Sequence, residues 1–177
     1  MPEPDDATGL SLHDLRLVRW DARWPVIAEQ ACTQLRALHV FLDLAHIGST
    51  AIPGLSAKPV IDLAATVHDD PADPGLRARL AELGYAAHGE YGLPGRQFFT
   101  LGDPPRLHLH VVASGSEHWH DWLTFRDFLR AHPDWVQRYE AEKQRLILDT
   151  GGDRTAYTKA KGVFIREALS AAGAPDA

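Results

Sequence analysis

With 177 residues and a formal net charge of -6, the chain is long enough to bury a sizeable core and has no global basic field to attract nucleic acid. Its 45% hydrophobic and 24% charged residues are ordinary for a globular domain, and its single cysteine, Cys32, excludes a disulfide framework and a cysteine-based zinc site. The acidic start MPEPDDATGL has no apolar signal segment, and no apolar run approaches the roughly 20 residues that span a bilayer. A cytoplasmic protein follows, with neither membrane nor nucleic acid as partner.

In chain order, residues 1–14 read as a mobile tail and 15–172 as one domain. Leu15 to Val18 reads as extended. Asp21 to Pro25 looks like a helix start, with Val26, Ile27, Cys32, Leu35 and Leu38 following at roughly helical spacing. Phe41 to Ile47 is a strand, broken by Gly48-Ser49-Thr50. Ala51 to Leu55 reads as a short turn of helix. Val60 to Val67 is a second strand whose nearly continuous apolar character predicts burial on both faces. Leu76 to Leu83 is a helix with Gly84 as its C-terminal cap. Gln97 to Leu101 and Leu107 to Val112 form an antiparallel hairpin across a short connection. Beyond Ser114 only helices follow: Glu117 to Ala131, Pro133 to Leu148 (stopping before Gly151-Gly152) and Thr155 to Ala171. The order predicts an α+β fold, a small mixed sheet of about four to five strands with helices packed on it and a helical C-terminal third.

Several residues point to chemistry. Gly48, Ser49 and Thr50 end a strand and offer N–H groups and hydroxyls for an anion, or simply cap the next turn. No GxxxxGK[ST] loop occurs anywhere in the chain. Asp62 is the one charge in an apolar strand, and must meet a cation, a metal or several donors. His108 and His110 alternate on one strand and share a face, as a metal-ligand pair or a proton-transfer pair. His46, in another strand, is placed to join them. At about 100° per residue, Arg126 falls inside the apolar arc of Trp119, Trp122, Leu123 and Leu129, and Lys161 falls among Tyr157, Ala160, Phe164 and Ala168. Both are the cations expected near a site, either on an anion or in a structural pair such as Arg126 with Asp62. Lys58 and Arg96 sit beside turns, within reach of a phosphate or solvated.

HIGSTAIPGL at His46 to Leu55, KPVIDL at Lys58 to Leu63, PGRQFF at Pro94 to Phe99, HLHVV at His108 to Val112 and FRDFLRAHP at Phe125 to Pro133 together resemble the GrpB family. The Tyr157, Lys161 and Phe164 spacing adds to this, and the likeness covers about Val18 to Leu169. The resemblance implies a nucleotidyltransferase-like fold, in a domain that in some bacteria is fused to dephospho-CoA kinase. The kinase's P-loop is absent, so its activity does not transfer. By the same resemblance, Gly48-Ser49 matches the superfamily's turn and Asp62 its first carboxylate. Ala64 stands at the second carboxylate position, and the HLHVV strand offers histidine at the third. Many family members carry an acidic residue before the first histidine, where this chain has Ala45. One carboxylate with imidazoles suits a single softer ion such as Zn²⁺ or Mn²⁺ better than a Mg²⁺ pair.

These features imply a protein that binds a nucleotide or another phosphate-bearing small molecule. Nucleotidyl or phosphoryl transfer would use Ser49, Asp62 and His110. Gly48, Thr50, Lys58, Arg96, Arg126 and Lys161 would hold phosphate, and Asp62, His108, His110 and His46 a metal. The alternatives are a non-catalytic module for anionic metabolites and a single-metal hydrolase built on His108 and His110.

Overall fold

The computed structural model describes residues 17–102, 106–150 and 154–173. The predicted tail at 1–14 and the stop at Gly151-Gly152 lie outside the described residues. Five helices and five strands follow the α+β order the sequence implies: α1 (Arg23–Arg36), β1 (Asp43–Ile47), β2 (Val60–Val67), α2 (Pro74–Glu82), β3 (Ala86–Ala87), β4 (Arg96–Leu101), β5 (Arg106–Ala113), α3 (Glu117–Ala131), α4 (Pro133–Asp149) and α5 (Arg154–Ala171). The sheet order is β1-β2-β5-β4-β3, with β2 and β5 parallel at its centre and the other pairs antiparallel.

Local chemistry accounts for the boundaries. Pro74 starts α2, and the Asp73 carboxylate caps it by accepting from the Leu76 amide at 2.8 Å. Pro133 divides α3 from α4, as the sequence implies. Two elements differ from expectation. The predicted helical turn at 51–55 is a single 3-10 turn, Ser49–Ala51. The short strand β3 was not legible, because two alanines carry no strand signal.

Central position explains the composition of β2. Every one of its residues except Asp62 is buried. One face of the sheet packs Ile61, Leu63, Ala65, Leu109 and Val111 against Trp24, Ala28, Cys32 and Leu35 of α1 and Leu76 and Leu80 of α2. A separate cluster ties the C-terminal helices to the segment after β1: Ile52 and Leu55 pack with Leu129, Tyr139, Phe164 and Ala168. The second cluster roofs the other face of the sheet, and the candidate site lies beneath that roof.

Candidate functional site

Residues opposite one another in register point to the same face of a sheet. The register pairs Asp62 with His108, Ala64 with His110, Phe98 with His110 and Thr100 with His108. Asp62 and the two histidines therefore share the face away from α1. Asp62 Oδ1 lies 3.1 Å from His108 Nδ1 and 3.4 Å from His110 Nε2. One ligand atom from each of the three fits within 4.8 Å, the one such cluster of potential metal ligands among the described residues. Burial opposes ionisation of Asp62, but the hydrogen bonds and charge of His108 and His110 overcome it and hold the carboxyl well below the usual carboxylate range. Burial pushes the His110 imidazole down, with Asp62 opposing.

Gly48 permits this placement. Its φ is +71°, and a Cβ there would fall 2.6 Å from Asp62 Oδ2 and 3.1 Å from Asp62 Cβ. The glycine is needed for both its backbone angle and its lack of a side chain. Three donors hold the turn around it by its carbonyls. Trp20 Nε1 donates to Thr50 O at 3.1 Å, Arg126 Nη1 to His46 O at 3.0 Å and Arg130 Nε to Ala51 O at 2.9 Å.

This geometry reassigns two expected site residues. Arg126 does not line the cavity below: its guanidinium forms a two-pronged pair with Asp127 at 2.7 and 2.9 Å and tethers α3 to β1. Asp62 is not its partner. His46 does not join the Asp62 cluster: it stands opposite Leu63 in register, and its Nε2 bonds Thr50 Oγ1 at 2.9 Å. Burial pushes His46 down to about 4.

Arg96 is attached to the cluster from behind. Its Nε and Nη2 hold the Glu90 and Tyr91 carbonyls, and its Nη1 lies 3.2 Å from His110 Nδ1. A guanidinium only donates, so His110 Nδ1 accepts and its Nε2 carries the hydrogen aimed at Asp62. His108 donates from Nδ1 to the ionised Asp62, with Nε2 on the other side of the ring. That Nε2 is buried with no hydrogen-bond partner among the described residues.

Beside Asp62 and His108 a cavity of about 200 Å³ opens beneath α4 and α5. Ser49, Thr50, Lys58, Lys143, Tyr157 and Lys161 line the rest of the part that matters for charge. Lys58 and Lys161, both singled out in the sequence, line the cavity, and so does a cation the sequence reading missed, Lys143. It shares an i, i+4, i+7 face with the buried Tyr139 and Leu146 of α4, the signal that could have found it. Lys143 is 1% exposed; its Nζ donates to the Ser56 carbonyl and lies 3.8 Å from Glu140 Oε2. Burial foremost, then the charge of Lys161, pushes the Lys143 amine down to about 7. Tyr139 foremost, with Tyr157 and Asp62 adding, keeps Lys161 above the usual lysine range despite its burial.

The chain thus combines a five-stranded mixed sheet with a glycine turn pressed on a lone strand carboxylate, in an α+β fold. A family model described as GrpB protein matches residues 14–171, and the chain belongs to the GrpB family. It is 33% identical to the UPF0157 protein SCO7215 of Streptomyces coelicolor over 91% of this chain and 86% of that one. It is 30% identical to a dephospho-CoA kinase of Mycolicibacterium paratuberculosis over 87% of this chain. The chain spans about half the length of that kinase (45%) and of a Bacillus subtilis relative (46%). The crystal structure of conserved protein GrpB from Enterococcus faecalis aligns with a TM-score of 0.77 at 27% identity, covering 88% of this chain and 98% of that one.

Proposed function

We propose that the domain over 15–172 is a cytoplasmic binding site for a phosphate-bearing small molecule, with a nucleotide the first candidate. The observation that carries this reading is the cavity in which Lys58, Lys143 and Lys161 converge beside Ser49 and Thr50. A cavity walled by lysines favours a ligand with anionic oxygens. A 3-10 turn of three residues supplies no sustained helix dipole, so the lysines provide the positive field. The absence among the described residues of a helix long and apolar enough to cross a membrane, and the free, buried Cys32, agree with the cytoplasm.

A second reading, a single divalent metal, is favoured by the Asp62, His108 and His110 cluster. Ala64, fully buried and opposite His110, leaves no second carboxylate for a Mg²⁺ pair. One carboxylate and imidazole nitrogens fit Zn²⁺ or Mn²⁺, provided the ring nitrogens that face Asp62 give up their hydrogens to the ion. Such an ion would act as a Lewis acid on a phosphoryl oxygen. The protein's own part is to hold that oxygen with Ser49, Lys58 and Lys161.

Thermal shift against nucleoside mono-, di- and triphosphates and inorganic pyrophosphate, with and without Zn²⁺ or Mn²⁺, tests both. A ligand at 100 times its Kd should stabilise the fold by about 2.7 kcal/mol. No shift with any phosphate compound sinks the proposal. Binding that survives Asp62→Asn without turnover makes the protein a binding module; turnover lost in that variant makes it an enzyme.

A further inference from the structure

We infer that Lys143 is an anion ligand of the cavity that takes up its proton together with the ligand, so that a multiply charged phosphoryl group binds with net proton uptake by the protein. The inference rests on the phosphate site proposed above and adds the group that completes it. The geometry carries it. Lys143 is 1% exposed yet lines the cavity, and its Nζ is fixed on the Ser56 carbonyl. It shares the cavity wall with a second cation, Lys161, from the neighbouring helix.

The groups that face Lys143 can be taken element by element. From α4, Glu140 lies 3.8 Å away, and its Oε2 also accepts from the Ser56 amide at 2.9 Å. The Tyr139 ring lies under the amine at 5.1 Å. From α5 come Lys161, whose Nζ is 5.8 Å from the same ring, and Tyr157. Lys58 lies on the segment before β2, while Asp62 and His108 stand on the sheet at the other side of the cavity. Asp62 is committed to His108 and His110. That leaves Glu140 as the one carboxylate within ion-pair distance of Lys143 among the described residues.

A buried ammonium beside a second ammonium is unfavourable, which agrees with an amine pushed down to about 7 by burial and by Lys161. A phosphoryl dianion in the cavity reverses the balance. It faces both ammonium groups and makes the protonated form of Lys143 the stable one. The midpoint in the complex then lies above that of the free protein. By linkage, the extra affinity is fully present below the free midpoint and is lost as pH rises towards the midpoint of the complex.

The test uses the whole chain labelled with ¹³C-lysine and inorganic pyrophosphate as probe. The Cε resonance that disappears in Lys143→Arg is followed with pH, with and without pyrophosphate. The expected free midpoint is about 7, and pyrophosphate should raise it by one unit or more. Relative to Lys143→Arg, whose charge is permanent, wild-type affinity should fall about tenfold per pH unit between the two midpoints. A midpoint that stays put while pyrophosphate binds, or a free midpoint in the ordinary lysine range, overturns the inference and leaves the phosphate site standing. If pyrophosphate moves no lysine resonance at all, Lys58 and Lys161 included, the phosphate site itself fails.

Discussion

The two faces of the central strands are built from alternating residues of the same two segments, yet they obey different rules. On one face, Ile61, Leu63, Ala65, Leu109 and Val111 disappear under α1 and α2 with no polar group among them. On the other, His108 and His110 both bond Asp62, and Asp62 and His108 border a lysine-lined cavity. The first face stabilises by area removed from water and is indifferent to which apolar groups supply it. The second concentrates charge in a confined space, where every group must find a partner. A shift of one residue in register would exchange them, so the register is pinned by the burial of the apolar face and inherited by the polar one.

Truncation on the apolar face should show the largest effect. Leu109→Ala, at a fully buried position between the two histidines, should cost about 2–5 kcal/mol in denaturant unfolding. His108→Ala, one residue earlier, should cost only about 1 kcal/mol and abolish the metal cluster. Equal costs would break the contrast between the faces. Gly48→Ala should come next, losing about 1–3 kcal/mol to the strained φ and displacing the Asp62 carboxylate. Calorimetry with pyrophosphate should then show weakened binding, and an unchanged affinity would show that the Gly48 contact with Asp62 is unimportant to the site.

The polar face also predicts a pH signature. Burial and the neighbouring Lys161 push the folded Lys143 amine down to about 7 from the 10.5 of an ordinary lysine. Between those values the unfolded chain binds more protons, so this group's penalty is full below about 7 and is relieved as pH rises. Stability of the ligand-free wild type relative to Lys143→Met should therefore climb by up to about 1.4 kcal/mol per pH unit in that window. A flat difference would mean the amine is charged throughout. The smallest expected effect is Arg96→Ala. Releasing His110 Nδ1 frees the imidazole to change tautomer and offer Nε2, so Zn²⁺ affinity measured by competition should rise about tenfold. A fall instead would mean that Arg96 orients His110 for a metal.

Much of this was legible in the chain. The pairing of His108 with His110 on one face follows from period-two alternation, the buried β2 from its nearly continuous apolar run, and the hairpin of β4 and β5 from the short connection between them. Asp62 stood out because a lone carboxylate in an apolar strand needs partners. Lys161 was found from its place among the apolar residues of its helix. The same logic sent Arg126 towards an anion, but a guanidinium is equally satisfied by carbonyls, and the His46 carbonyl together with Asp127 meets its needs. Periodicity says that a buried charge must pair; it does not say with what. Lys143 escaped notice because a long helix of acidic and basic residues hides one buried lysine among several solvated charges.

The sequence by itself determined the element order, the family likeness, the single strand carboxylate and the face shared by the two histidines, since each depends only on residue type and local period. The tertiary structure decided which distant segments meet. It set the parallel register that brings Asp62 opposite His108, and the close approach of Gly48 that leaves room only for a hydrogen. It also set the packing of α4 and α5 that swings Lys143 and Lys161 over the sheet. Those contacts join residues up to about a hundred positions apart, and they are fixed by burial and by hydrogen bonds between segments that no local pattern encodes.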